Sequence, residues 1–191
     1  MINSISKYAF TLTEQKSIKE LLKYCEGKNV ESARILKNDT DITDKFIIDE
    51  NNFRVNMHPK GEVLPCHEAH CPIFELVKKK MLLKDSTYIH FHPKTLPLSF
   101  GDVLSAFLFK MKKIVAVTSD GKYSIFAPNP SVNVPKEELF KQNKKIREII
   151  NKNGIGYILD NPVHFEKYKT YMQLYWQKLA AQNKSQYMSN M

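Results

Sequence analysis

The segment Thr87–His92, near the middle of the chain, restricts the fold most, because two kinds of residue alternate along it. Successive side chains of a β-strand point to opposite faces, so this alternation predicts a strand with two unlike faces. One face carries Ile89 and Phe91. The other face carries Tyr88, His90 and His92. Pro93 follows and ends the strand, because proline cannot donate a ladder hydrogen bond. We therefore expect a sheet in which one strand presents two imidazoles on the same face.

Strand and helix patterns along the rest of the chain predict a mixed α/β fold, with a mixed sheet flanked by helices. Apolar spacing and prolines near first turns predict helices at Thr13–Cys25, Pro72–Leu83, Ser99–Lys112, Pro135–Asn151 and Pro162–Gln182. Alternating segments between turn residues predict strands at Val30–Leu36, Lys45–Ile48, Phe53–Met57, Thr87–His92, Ile114–Thr118 and Lys122–Phe126. We expect residues 1–132 to form the α/β body and residues 133–191 a C-terminal helical extension.

The composition of the chain is that of a globular protein made in a reducing compartment. Its 191 residues are 42% hydrophobic and 11% aromatic, which is too apolar for a disordered chain. No apolar run approaches the roughly 18 to 20 residues that span a bilayer, and the N-terminus does not resemble a signal peptide. The odd set Cys25, Cys66 and Cys71 does not suggest a disulfide framework. We expect a cytoplasmic protein. The alternative that the sequence leaves open is export of the protein as an effector.

The net charge of +9 raises the question of an acidic partner. Lysines cluster in the segments Lys78–Lys80, Lys110–Lys113 and Lys141–Lys145. Such clusters can attract nucleic acid, an acidic protein surface or a membrane. No helix-turn-helix or RNA-binding signature accompanies them. We therefore expect a solvated, lysine-rich surface with no nucleic-acid or membrane partner, and one that suits an acidic protein substrate.

His90, His92 and Asp102 form the candidate metal site. The strand directs both imidazoles to one side, and a short loop leads to Ser99-Phe100-Gly101-Asp102 at the start of the next predicted helix. From that first turn, the Asp102 carboxylate can reach back to the histidines. Two histidines and one carboxylate leave the fourth position of a zinc ion open for water, which is typical of catalytic zinc sites. We therefore expect Zn²⁺ as the cofactor.

Each part of this pattern also has a purely structural interpretation. Ser99 and Asp102 have the spacing of a helix N-terminal capping pair, in which the two side chains satisfy free backbone N–H groups. Two histidines on a strand can be partly buried side chains with hydrogen-bond partners. We favour the metal site because capping does not require two histidines ten residues upstream that point the same way.

His90-Phe91-His92-Pro93 followed by Ser99-Phe100-Gly101-Asp102 resembles the signature of the JAB/JAMM (MPN-domain) zinc metalloproteases, in a bacterial or phage-type form. The resemblance covers about residues 10–127, including the order of helices and strands. It implies an MPN-like fold and a zinc hydrolase with His90, His92 and Asp102 as ligands. It also implies that Ser99 stabilises the oxyanion.

The same family uses a glutamate from an early strand as general base, and Glu31 is the candidate on the first predicted strand. Glu26 and Glu50 are weaker candidates, because both fall in predicted turns. The expected activity is hydrolysis of a peptide or isopeptide bond in an extended tail of a protein substrate, ubiquitin-like or other. Phe91 stands where deubiquitinating members usually carry Ser or Thr, so ubiquitin itself is not indicated. The alternative is a binding module, MPN-like but catalytically weak, that engages a protein or nucleic acid through its basic surface.

Two further patterns remain open. The first groups two thiols with two imidazoles, Cys66, His67, His70 and Cys71, without a second ligand pair downstream that would complete a zinc finger. The second is an aromatic and apolar stripe on the last helix, formed by Phe165, Tyr168, Tyr171, Met172, Tyr175, Trp176 and Leu179. Such a stripe either packs on the sheet as core or serves for self-association.

Overall fold

The computed structural model describes residues 9–50, 55–59, 79–132, 134–152 and 162–191. The helices are α1 (Leu12–Cys25), a short α2 at residues 79–83, α3 (Phe100–Leu108), α4 (Lys136–Lys152) and α5 (Pro162–Gln182). The strands are β1 (Ala33–Lys37), β2 (Thr40–Asp41), β3 (Phe46–Glu50), β4 (Val55–Pro59), β5 (Thr87–Phe91), β6 (Lys113–Val117), β7 (Tyr123–Ala127) and β8 (Gln186–Ser189). The mixed α/β class is therefore confirmed.

A six-stranded mixed sheet in the order β2-β1-β5-β6-β7-β8 organises the molecule. β5 and β6 are parallel, and the other neighbouring strands are antiparallel. The helix α3 lies between β5 and β6 in the chain, and a parallel pair requires such a crossover connection. β3 and β4 form a separate antiparallel hairpin. Because β5 and β6 are parallel, α3 begins beyond the C-terminal end of β5, and the candidate metal residues lie at that end.

The two faces of the sheet are buried against different helices. Ile89 and Phe91 of β5 pack in a cluster with Ile18 and Leu21 of α1. Tyr88, on the opposite face, packs in a second cluster that includes residues from α3 and α5. All five residues of β5 are buried. The alternation predicted for this strand is confirmed, and both faces of it are core because helices cover both sides.

The first helix begins at Leu12, one residue before its predicted start at Thr13. Thr11, not Thr13, is the N-cap residue: its hydroxyl accepts from the Glu14 backbone N–H, and the Glu14 carboxylate accepts from the Thr11 N–H. This reciprocal pair requires a Glu three residues after the cap, which Thr11 has and Thr13 lacks. At the other end, Gly27 has a φ of 71°, a left-handed conformation in which glycine ends a helix without steric cost.

Strand boundaries show most of the differences from prediction. β1 begins at Ala33 instead of Val30, and the hairpin strands β3 and β4 each extend two residues beyond their predicted ends. Glu50 therefore belongs to β3 and pairs with Val55, so its predicted position in a turn is wrong. Ladder hydrogen bonds between strands decide these limits, and local residue patterns do not encode them.

The end of the chain contributes to the same sheet and core. α5 matches its predicted bounds. Met172, Trp176 and Leu179 of its stripe are buried in the core, Tyr168 and Tyr175 pack against that core, and Tyr171 is exposed. β8, which was not predicted, pairs with β7 as an outer strand. The predicted boundary between residues 132 and 133 remains a prediction. Among the described residues, no helix is both long and apolar enough to cross a bilayer.

Candidate metal centre

The end of β5 brings two imidazoles into direct contact. His90 and His92 are 1% and 7% exposed, and their Nε2 atoms lie 2.8 Å apart. His90 is paired with Ala33 on one side and Ala116 on the other. These neighbours are small, so the ring of His90 has room over the sheet. The contact confirms that the two histidines point to the same face.

The surrounding chain fixes the tautomer of His92. Its Nδ1 atom lies 2.9 Å from the backbone carbonyl of Leu96, and a carbonyl can only accept a hydrogen bond. The proton of neutral His92 therefore sits on Nδ1, and the lone pair on Nε2 points towards His90. Metal-ligating histidines are commonly oriented in this way, by a hydrogen bond from the other ring nitrogen.

The ring of His90 is positioned by other contacts than the ring of His92. Its ring stacks on that of Tyr88, with centroids 5.2 Å apart and planes inclined by 15°. Its Nδ1 atom is buried near the backbone of Val115 and makes no hydrogen bond within the described part of the chain. Tyr88 was not singled out as a site residue from the sequence. The signal was present, because Tyr88 is two residues before His90 and therefore shares its strand face.

Asp102 uses its two carboxylate oxygens for two purposes. Oδ2 accepts from the Ser99 backbone N–H at 2.6 Å, and Oδ1 lies 3.5 Å from His90 Nε2. The Ser99 hydroxyl in turn accepts from the Asp102 backbone N–H at 3.2 Å, which completes a capping box at the start of α3. The capping interpretation of this pair is therefore correct, and Asp102 nevertheless reaches the histidines with its other oxygen.

The ionisation of the three groups is strongly coupled. Burial opposes the charge on Asp102, but His90 outweighs burial and holds the Asp102 pKa well below its usual range. Burial also opposes charge on His90, and the Asp102 carboxylate beside it raises the His90 pKa overall. Burial and the positive charge of His90 lower the pKa of His92 to about 4. His92 is therefore neutral at physiological pH, which is the form that binds a metal.

Glu31 lies just outside the strand on which it was predicted. It precedes β1, and it is half-buried. The pairing nevertheless continues towards it, because the Phe91 N–H donates to the Ser32 carbonyl at 2.8 Å. Continuing the antiparallel register of Ala33 and His90 past Ser32 and Phe91 places Glu31 opposite His92. Residues opposite each other on neighbouring strands direct their side chains to the same face of the sheet, so Glu31 and His92 share a face. Its negative charge raises the pKa of both Tyr88 and His90.

His90, His92 and Asp102 lie close enough to hold a metal ion, with their ligand atoms all within 4.8 Å of one another. Ligands of a tetrahedral zinc ion, bound at 2.0 to 2.1 Å, are about 3.3 Å apart. The separation between His90 and Asp102 fits this value, and the two Nε2 atoms would have to part by about 0.5 Å. The Asp102 side chain is 18% exposed, so the cluster can be reached from solvent.

Among the described residues, the group that could hold a metal ion contains no further candidate residue. Glu26 is the C-cap residue of α1 and is exposed, as its predicted turn position requires. The group of Cys66, His67, His70 and Cys71 lies outside the described residues. Cys25 is buried in the core beneath α1. In comparisons with protein-family models, with curated proteins and with solved structures, no match to this chain was found.

Proposed function

We propose that this chain is a zinc-dependent hydrolase of peptide or isopeptide bonds with an MPN-like fold. The observation that supports the proposal most is the joint position of His90, His92 and Asp102 at the end of β5, with one carboxylate oxygen directed at the buried imidazoles. Buried histidines beside an ionised aspartate whose side chain is partly open to solvent suit a catalytic metal site better than a closed structural one.

The donor set has the composition of a three-ligand zinc site. His90, His92 and Asp102 would hold the ion and leave a further coordination position unfilled by protein. When bound, zinc polarises a scissile carbonyl and lowers the pKa of a water molecule to about 7. The hydrogen bond from His92 to the Leu96 carbonyl keeps the Nε2 lone pair of His92 directed at the site.

Glu31 and Ser99 are the proposed catalytic residues. Glu31, opposite His92, would accept the proton of the attacking water and return it to the leaving amine. Ser99 stands at the start of α3, where a developing oxyanion would also meet the positive end of the helix dipole. Its capping hydrogen bond uses a lone pair of the hydroxyl oxygen and not the hydroxyl proton, so the hydroxyl proton can still be donated to substrate.

The proposed substrate is an extended tail of a protein, ubiquitin-like or other. β5 is an inner strand of the sheet, separated from the outer strands β2 and β8 by β1 on one side and by β6 and β7 on the other. A tail therefore has to approach His92 across the ends of the strands. The net charge of +9 favours an acidic tail.

The metal content of the purified protein tests the site. We expect about one zinc per chain in the wild type, measured by elemental analysis, and its loss in the His90→Ala, His92→Ala double variant. The matched control is the Cys66→Ser, Cys71→Ser variant, which should retain the zinc. Loss of zinc from the cysteine variant alone would show that the ligand assignment is wrong.

A further inference from the structure

The loop between His92 and α3 is anchored at Leu98 by the C-terminal part of the chain. The indole Nε1–H of Trp176, in α5, donates to the Leu98 carbonyl at 2.8 Å. Trp176 and Leu98 are both 0% exposed, so this hydrogen bond is shielded from water. A buried carbonyl that loses its hydrogen-bond partner is left neither solvated nor paired, which is unfavourable. The Trp176 hydrogen bond is therefore a strong local restraint on the loop.

A second contact holds the same residue from the other side. The Leu98 N–H donates to the Ser124 hydroxyl at 3.4 Å, and the Ser124 hydroxyl donates to the Tyr187 hydroxyl at 3.2 Å. Ser124 belongs to β7, and Tyr187 belongs to β8. Both backbone polar groups of Leu98 are thus satisfied by side chains, and α5 and β8 both take part.

Leu98 separates the two halves of the metal cluster. On its N-terminal side, the Leu96 carbonyl receives the Nδ1–H of His92 and orients that ring. On its C-terminal side, Ser99 begins α3 and caps it together with Asp102. A shift of Leu98 would therefore move the group that orients His92 and the start of the helix that carries Asp102.

We propose that Trp176 is a positioning residue for the metal site, so that α5 contributes to the geometry of that site. The hydrogen bond of Trp176 goes to the loop backbone and not to a metal ligand. Its indole N–H fixes the loop at residues 93–98, and the loop sets the distance between the imidazoles and the Asp102 carboxylate. The proposal rests on the metal site of the proposed function. It adds that metal affinity depends on the anchoring of Leu98, to which the C-terminal helix contributes the hydrogen bond from Trp176.

Trp176→Phe is the most direct variant. Phenylalanine keeps an aromatic ring against Phe126 and Tyr175, whose ring centroids lie 6.4 and 4.7 Å from that of Trp176, but it removes the donor. We expect the zinc dissociation constant, measured by chelator competition, to rise about 10-fold, the lower end of the effect of residues that orient metal ligands. The visible absorption of the Co²⁺-loaded protein should change as well, because it reports the geometry of the ligands.

Leu179→Ala is the matched control. Leu179 is buried in the same core one turn further along α5, and its apolar side chain has no donor for a hydrogen bond to the Leu98 carbonyl. This variant should lower the melting temperature yet leave the zinc dissociation constant and the cobalt spectrum unchanged. If both variants weaken zinc binding in proportion to their loss of stability, Trp176 is an ordinary core residue and the proposal is wrong.

The outcomes separate this inference from the proposed function. A wild-type chain that binds neither zinc nor cobalt overturns both. A wild type that binds zinc, beside a Trp176→Phe protein that binds it equally tightly, overturns the inference alone. If Trp176→Phe does not fold, Ser124→Ala takes its place, because it removes the other hydrogen bond to Leu98. Weaker zinc binding in that variant supports the proposal, and unchanged binding contradicts it.

Discussion

Asp102 illustrates how one residue can fulfil a structural and a chemical role at once. Its Oδ2 atom caps α3, and its Oδ1 atom faces His90. The capping hydrogen bonds fix the rotation of the carboxylate, so the second oxygen is held ready without further ordering. Because His90 also lowers the Asp102 pKa, the carboxylate remains ionised although its side chain is largely buried. The structural and the metal-site interpretations of the Ser99–Asp102 pair are therefore compatible.

Glu31 tests the chemistry at the scale of a single residue. Glu31→Gln keeps the size of the side chain and removes its ability to accept a proton. We expect zinc content and melting temperature to stay unchanged, and turnover of a cleavable substrate to fall at least about 10²-fold, as for other positioned general bases. The measurement is kcat for the two zinc-loaded proteins.

Glu26→Gln is the control for this substitution, because Glu26 is an exposed carboxylate at the end of α1. It should have no effect on kcat. Equal turnover in the Glu31→Gln protein and the wild type would mean that another carboxylate acts as the base.

At the scale of helices, α1 and α3 begin with the same device, a capping box, and the two boxes can be compared directly. Thr11 and Glu14 form the first, and Ser99 and Asp102 form the second. Thr11→Ala and Ser99→Ala should each lower the free energy of unfolding by about 1 kcal/mol, the usual effect of losing an N-cap. Denaturant titration measures this loss.

Only the second substitution should affect activity. Thr11→Ala should leave kcat unchanged, whereas Ser99→Ala should lower kcat by more than its loss of stability explains, because Ser99 is also the proposed oxyanion donor. Identical kcat values in the two variants would show that Ser99 only caps α3 and does not act as an oxyanion donor.

A buried ion pair connects α1 to the sheet at the end of β5 remote from His92. The Glu14 carboxylate accepts from Lys113 Nζ at 2.7 Å and from the Thr87 hydroxyl at 3.0 Å. Glu14→Ala leaves the ammonium of Lys113, which is 14% exposed, without its carboxylate partner. We expect the free energy of unfolding to fall by about 3 kcal/mol, since breaking one side of a buried pair leaves an uncompensated charge.

The double variant Glu14→Leu, Lys113→Met separates charge from packing. It removes both charges while keeping apolar volume, so it should be more stable than Glu14→Ala in the same denaturant titration. Zinc content should be unchanged in both, because the pair lies away from the metal residues. A double variant as unstable as Glu14→Ala would show that the hydrogen bonds of Glu14 with Thr87 and with the Thr11 backbone matter more than the charge.

At the scale of the whole molecule, the inner position of β5 bears on substrate choice. A strand with neighbours on both sides offers no free edge for a long unfolded chain to pair with, and access is limited to the strand ends. We therefore expect cleavage of an extended C-terminal tail or linker in a ubiquitin-like or other small protein, in preference to general proteolysis.

Three substrates distinguish these outcomes, each assayed with and without a chelator: unfolded casein, a ubiquitin–lysine isopeptide and a panel of ubiquitin-like fusions. Chelator-sensitive cleavage of one tail or linker is the expected result. Digestion of casein at many sites would contradict tail specificity. Zinc-loaded protein inert on every substrate would favour the binding-module alternative.

The sequence by itself determined local patterns, which are the type of most elements and the face to which their side chains point. The two-residue period of Thr87–His92 and the spacing of Ser99 and Asp102 are local properties, and each was found where the pattern indicated. Only the tertiary structure decided what depends on partners distant in the chain. The pairing of Ala33 with His90 brings Glu31 towards His92, the β7 strand recruits β8, and Trp176 reaches Leu98 across 78 positions. These contacts arise from the burial of shared core surface, and no short segment encodes which distant residue will be its neighbour.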